Sequence, residues 1–104
     1  MFVISVKKLF DYKGNRLDKP EYKYFGYDRY AGSFAVGYPT WMSFHNAETF
    51  KTAEEAKKVY IENLHILTCN WEIYDKNSVR IYKVKFNPVE KLPWKEKEDK
   101  NNDR

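Results

Sequence analysis

His65 and Cys69 stand four residues apart, a spacing that stacks two side chains on one face of a helix. An imidazole beside a thiol could activate a nucleophile or supply two metal ligands. The rest of such a site is missing. Cys69 is the only cysteine and His45 the only other histidine, whereas a zinc site asks for three or four ligands. The helix carrying His65 is also expected to end before Cys69. Cys69 then reads as a small buried apolar residue and His65 as a helix-end residue. Glu54 and Glu55 are adjacent, so they diverge around a helix, and capping accounts for both. Asp28 has the carboxylate of a general base but nothing beside it that demands the role. The chain shows no Walker loop, nucleophile elbow or dinucleotide fingerprint. Gly26, Gly32 and Gly37 are too widely spaced to cradle phosphate. No positive case for an enzyme follows, and neither a cofactor nor a metal is expected.

The aromatic–basic interleave is more informative. Lys19, Tyr22, Lys23, Tyr24, Phe25, Tyr27, Arg29 and Tyr30 crowd one stretch, in a chain whose aromatic content is 18%. In a strand, Tyr22 and Tyr24 share one face, with Lys23, Phe25 and Tyr27 on the other. Three readings stay open. The rings could be ordinary cross-strand pairs, a protein-binding hot spot with Arg29, or a platform for bases. For the protein-binding reading the residues are Tyr24, Tyr27, Arg29, Tyr30 and Trp41. For the nucleic-acid reading they are Lys23, Arg29, Arg80, Lys83 and Lys85 with neighbouring tyrosines. The net charge of +4, from 19 basic and 15 acidic residues, is mild for a binder of duplex DNA. It also counts against mimicry of DNA, which needs an acidic surface. Residues 87–104 carry five basic and five acidic groups, so the surplus lies in residues 1–86. Lys83 and Lys85 also suit an edge strand that resists sheet-to-sheet pairing.

These residues need a scaffold, and the patterning supplies one. Phe2, Ile4 and Val6 alternate with Val3, Ser5 and Lys7, predicting a strand that continues through Leu9-Phe10. Residues 12–16 read as a turn, and Pro20 keeps the linker from being helical. Residues 22–27 and 33–38 predict two strands joined by a hairpin connection at 28–32. Gly26 and Gly37 inside them point to bulges or close backbone approach. Pro39 is expected to end that part of the sheet, with 40–46 irregular over a core edge. Thr52 and Glu55 form a capping box that opens a helix over 53–65. Cys69, Trp71 and Ile73 alternate as a strand, Asp75-Lys76-Asn77-Ser78 reads as a hairpin turn, and residues 79–86 as the last strand. A change of phase between Ile81 and Val84 points to a bulge or to burial on both faces. The expected fold is α+β, an antiparallel sheet of about five strands with one helix on a face (β-β-β-α-β-β). The expected core is Ile4, Val6, Phe34, Val36, Ala56, Val59, Tyr60, Leu64, Trp71, Ile73 and Ile81. One domain over 1–90 is followed by a charged tail over 91–104.

The lone thiol suits a reducing cytoplasm. The N-terminal apolar run precedes its lysines and is too short for a signal peptide, and no stretch reaches the ~20 apolar residues of a membrane span. A bacterial host cytoplasm is the expected location, and an exposed edge strand is compatible with a homodimer.

The run Phe50-Lys-Thr-Ala-Glu-Glu-Ala-Lys-Lys-Val-Tyr60, entering one helix after an aromatic hairpin in a short chain rich in Lys, Asn and Tyr, resembles small accessory proteins of bacteriophages and mobile elements in low-GC bacteria. The resemblance spans residues 20–86 in style. It implies a protein that binds and blocks or redirects a host or defence component, inhibitors of CRISPR nucleases being one such class. The implied partner is a bacterial protein or protein–nucleic acid complex. No active-site residues carry over.

Overall fold

The computed structural model describes residues 1–30, 37–85 and 90–93, with the side chains of Cys69 and Asn70 excepted. Among them, four strands form one antiparallel sheet: β1 (Phe2–Phe10), β2 (Arg16–Asp28), β3 (Tyr38–Met42) and β4 (Tyr74–Lys83), in the order β3-β2-β1-β4. A 3-10 turn (Phe44–Asn46), helix α1 (Ala53–Glu62), the single turn α2 (Leu64–Leu67) and a second 3-10 segment (Thr68–Ile73) connect β3 to β4. No helix of the described chain is long and apolar enough to cross a membrane.

The β1 alternation is realised on two faces. Ile4 and Val6 point into the core with Phe25, Trp41, Phe50, Ala56, Leu67, Ile73 and Tyr74. Val3 and Ser5 are also buried, on the opposite face. Register fixes that opposite face, because directly paired residues share a side. Ser5 pairs with Tyr24 and Lys7 with Tyr22. Val3 pairs with Tyr82 and Ser5 with Arg80.

Both partners of β1 break register. Between Lys8↔Glu21 and Phe10↔Arg16, a two-residue step on β1 spans five residues of β2. Pro20 lies in this bulged stretch, where its missing N–H removes no ladder bond. The linker expected before residue 22 is therefore the start of β2. On the other edge, Ser5↔Arg80 is followed by Lys7↔Asp75, again two residues against five. The Asp75–Ser78 run expected to reverse the chain does not do so. Its turn chemistry is present: the Asn77 N–H donates to Asp75 Oδ1 at 3.1 Å, and the Ser78 hydroxyl donates to the Asp75 carbonyl at 2.6 Å. The product is a bulge inside β4, and Ser78 Oγ accepts from the Lys7 N–H at 2.8 Å. The bulge expected between Ile81 and Val84 thus lies earlier in the strand.

Other departures have local reasons. Pro39 sits within β3 rather than ending the sheet, which an edge strand tolerates. Residues 40–42 are strand, so only the rest of the 40–46 stretch is irregular. Of the strand expected over 33–38, residues 33–36 lie outside the described residues, as do the core candidates Phe34 and Val36. Thr52 Oγ1 accepts from the Glu55 N–H at 3.1 Å, while Glu55 Oε1 reaches the Lys51 N–H at 3.1 Å rather than that of Thr52. Asn63 interrupts the helix expected to run to 65, its amide donating to the Val59 carbonyl at 2.9 Å. The segment expected as a strand from Cys69 stays helical as a 3-10 run, with Trp71 against Trp41 at 6.3 Å between ring centroids. Alternation over so few residues does not separate strand from tightened helix. Ile81, expected in the core, is 39% exposed. The tail beyond residue 93 lies outside the described residues.

Ser78 joins the two arms of the β4 bulge to β1. Ser78→Ala leaves the part-buried Lys7 N–H without its acceptor and should cost about 1–3 kcal/mol. Urea denaturation checks this: an unchanged midpoint would show that water replaces the hydroxyl at no cost.

Candidate functional site

The end of β2, its neighbour β3 and the 3-10 turn enclose a polar concavity of about 360 Å³ lined by Tyr27, Asp28, Arg29, Tyr30, Met42, Asn46 and Glu48. Its geometry depends on Gly26. A Cβ at that position would lie 2.6 Å from the Asn46 carbonyl oxygen and 2.8 Å from Met42 Sδ. Only a glycine lets the turn close so tightly on the strand. The same closure sets Phe44 against Tyr24, edge to face, at 5.1 Å. Gly37 has φ +103°, and a Cβ there would come within 3.0 Å of Arg29 Cα and the Asp28 carbonyl oxygen. Both glycines thus mark the close approaches their sequence positions predicted. The turn is stitched internally: the Asn46 N–H donates to the Ser43 carbonyl at 3.0 Å, and the Asn46 amide lies 3.4 Å from Ser43 Oγ.

Charges around the concavity are mixed. Arg29 lies 3.7 Å from Glu48, both partly exposed, a pair of small net worth. The Glu48 N–H donates to the Phe25 carbonyl at 2.8 Å, which anchors that carboxylate beside β2. Asp28 Oδ1 accepts from the Tyr30 N–H at 3.0 Å. This short turn leaves the Tyr30 ring wholly exposed at the rim. The Tyr27 phenol is pushed above its ordinary value, by burial first and then by the carboxylates of Glu48 and Glu62, with Arg29 opposing.

Of the residues selected for protein binding, Tyr27, Arg29 and Tyr30 line the concavity. Tyr24 adjoins it through its cross-strand partner Met42. Trp41 does not belong. It is a core residue, packed against Trp71 and Tyr74, because its pairing with Phe25 puts it on the helix-covered face. Met42, Phe44, Asn46 and Glu48 were not selected. Ser43 and Asn46, three residues apart, carry the turn signal that could have located them.

The basic set does not gather into one stripe. Lys23 sits 3.7 Å from Glu21. Arg80 folds back onto the Asn77 and Val79 carbonyls at 2.9 and 2.8 Å. Lys83 pairs with Phe2 at the far end of β4, and Lys85 follows it. His45 is exposed on the 3-10 turn, 3.3 Å from Ser43 Oγ, and His65 is exposed on α2. Among the described residues no three of His, Cys, Asp and Glu lie together as metal ligands. No protein-family model, curated protein or solved structure matches the chain.

Two outcomes follow. Gly26→Ala should destabilise the fold by about 1–3 kcal/mol through overpacking against a backbone carbonyl, read by urea denaturation. A shift below a few tenths would mean that the turn opens freely. Burial also raises the phenol pKa values of Tyr60 and Tyr74 above the ordinary 10.0, with Tyr12 adding to the rise at Tyr74. In the unfolded chain Tyr27, Tyr60 and Tyr74 ionise near 10.0, whereas in the folded chain they hold their protons. Stability is therefore fully present below pH ~10 and declines as pH rises through the folded values. Urea midpoints that stay level from pH 8 to about 11 would contradict this.

Proposed function

We propose that this chain is a small protein-binding accessory module of phage or mobile-element type. It acts by occupying a surface on a bacterial protein or protein–nucleic acid complex, with a defence nuclease as the partner class. The carrying observation is the convergence of Tyr27, Arg29 and Tyr30 on one concavity, with Tyr30 wholly exposed at its rim. Tyrosine and arginine at a concave, rigidly backed site are the residue types that dominate protein–protein hot spots. The mixed charge of Asp28, Arg29 and Glu48 suits a protein surface better than a phosphate backbone, which asks for uncompensated cations.

The test compares the wild-type protein with Tyr30→Ala in affinity capture from nuclease-treated bacterial lysate, followed by affinity measurement on the purified partner. A stoichiometric protein should be retained by the wild type. Tyr30→Ala should weaken it by more than about 2 kcal/mol, roughly 30-fold, while leaving the denaturation midpoint in place. Equal affinity of both proteins would remove Tyr30 from the interface. A partner lost on nuclease treatment, with binding that falls steeply in salt, would transfer the role to nucleic acid.

A further inference from the structure

A second concavity lies toward the other edge of the sheet, by β4. Helix α1 and strand β4 flank an open groove of about 500 Å³. Its floor is apolar. Ile4 is buried beneath it, and Ile61 and Ile81 line it while remaining 56% and 39% exposed. Ile61 follows Lys57 and Tyr60 on one face of α1, so the helix presents an isoleucine to the groove rather than to the core. The rim is basic. Lys57 stands on α1, with Lys76 and Arg80 on β4, and no Asp or Glu is among the residues that line the groove. None of the three cations is in an ion pair among the described residues. Strand β4 is also an edge of the sheet, with β1 as its one partner among the described residues.

We infer that this groove binds an extended acidic–apolar segment of a partner protein, which lies along the β4 edge beneath α1. Such a segment alternates its side chains. One set covers Ile61, Ile81 and Val79, the carboxylates of the other meet Arg80, and acidic residues at the ends of the segment meet Lys57 and Lys76. The Arg80 side chain already bonds the Asn77 and Val79 carbonyls, so main-chain pairing falls on the Ile81–Lys83 portion of the edge. This is strand addition with a charge filter. Charge also disfavours a second copy as occupant, since it would bring the same basic rim, Lys57, Lys76 and Arg80, to the groove. The groove goes beyond the hairpin-end site, because it shares no lining residue with it.

Fluorescence anisotropy with short labelled peptides tests the inference. One peptide alternates Val with Glu, and its counterpart alternates Val with Lys. The acidic peptide should bind and the basic one should not. Lys57→Glu with Lys76→Glu should weaken the acidic peptide at least tenfold, and the milder pair Lys57→Gln with Lys76→Gln should weaken it less. Circular dichroism should show both variants folded. Tyr30→Ala should leave peptide binding unchanged, so failure of the groove and failure of the hairpin-end site are read separately. Amide shifts in NMR should concentrate on residues 57–61 and 76–83. Absent binding, equal binding of both peptides, or full affinity in both charge variants would overturn the inference. So would a dimer in sedimentation that loses peptide affinity as it forms, since the occupant would then be a second copy.

Discussion

Because β1 pairs with β2 on one edge and with β4 on the other, its register decides which side chains meet on each face. Ile4 and Val6 face the helices, and the strands on either side must bring their own apolar residues to the same side. Phe25 and Trp41 do this on β2 and β3, and Tyr74 on β4. A one-residue slip would turn all of them outward. The opposite face then receives Tyr22 and Tyr24 from β2 and Tyr82 from β4. The aromatic richness of the chain is thus divided by register. Some rings close the core, and others, such as Tyr22 and Tyr82, stay about half exposed.

The two register breaks deserve a common explanation. On each edge of β1, a partner strand carries three more residues than the step it spans. In β4 the surplus is held by Asx and hydroxyl bonds from Asp75 and Ser78, and Ser78 restores the ladder by accepting from Lys7. In β2 the surplus contains Pro20, which has no N–H to leave unpaired. Bulges increase local twist. The β2 bulge sits beyond the core residues Ile4 and Val6, opposite Lys8–Phe10, whereas the β4 bulge falls opposite Val6 itself.

The capped start of α1 was legible because Thr52 and Glu55 act locally, as was the glycine role at 26 and 37, where only steric exclusion is at stake. The β1 alternation was equally legible, since half-buried strands carry their period in the residues themselves. The errors share another cause. Asp75–Ser78 has turn chemistry, but that chemistry serves a bulge as well as a hairpin, and only the pairing of both flanks with β1 tells them apart. The stretch from Thr68 to Ile73 alternates like a strand, yet it stays helical because Trp71 is held against Trp41, a contact thirty positions distant. Trp41 itself looked like an interface ring until its pairing with Phe25 put it inside. In the candidate site, Tyr27, Arg29 and Tyr30 were readable from their crowding. Glu48 and Asn46 were not, because a tight return against Gly26 brings them in.

The distribution of charge bears on what such a small fold can bind. A surplus of four spread over a surface would give weak, diffuse attraction to any polyanion. Here the cations differ in circumstance. Lys23 and Arg29 have carboxylates beside them, so they contribute little to a long-range field. Lys57, Lys76 and Arg80 surround an apolar floor without acidic neighbours in the lining. A low-dielectric floor strengthens their attraction for a carboxylate and shields it from salt better than open water would. An elongated nucleic acid would satisfy the cations but leave Ile61 and Ile81 exposed to its hydrated backbone. A segment that alternates acid and aliphatic side chains satisfies both. On the proposed reading, selectivity would come from the groove's cations and apolar floor acting together rather than from the net charge.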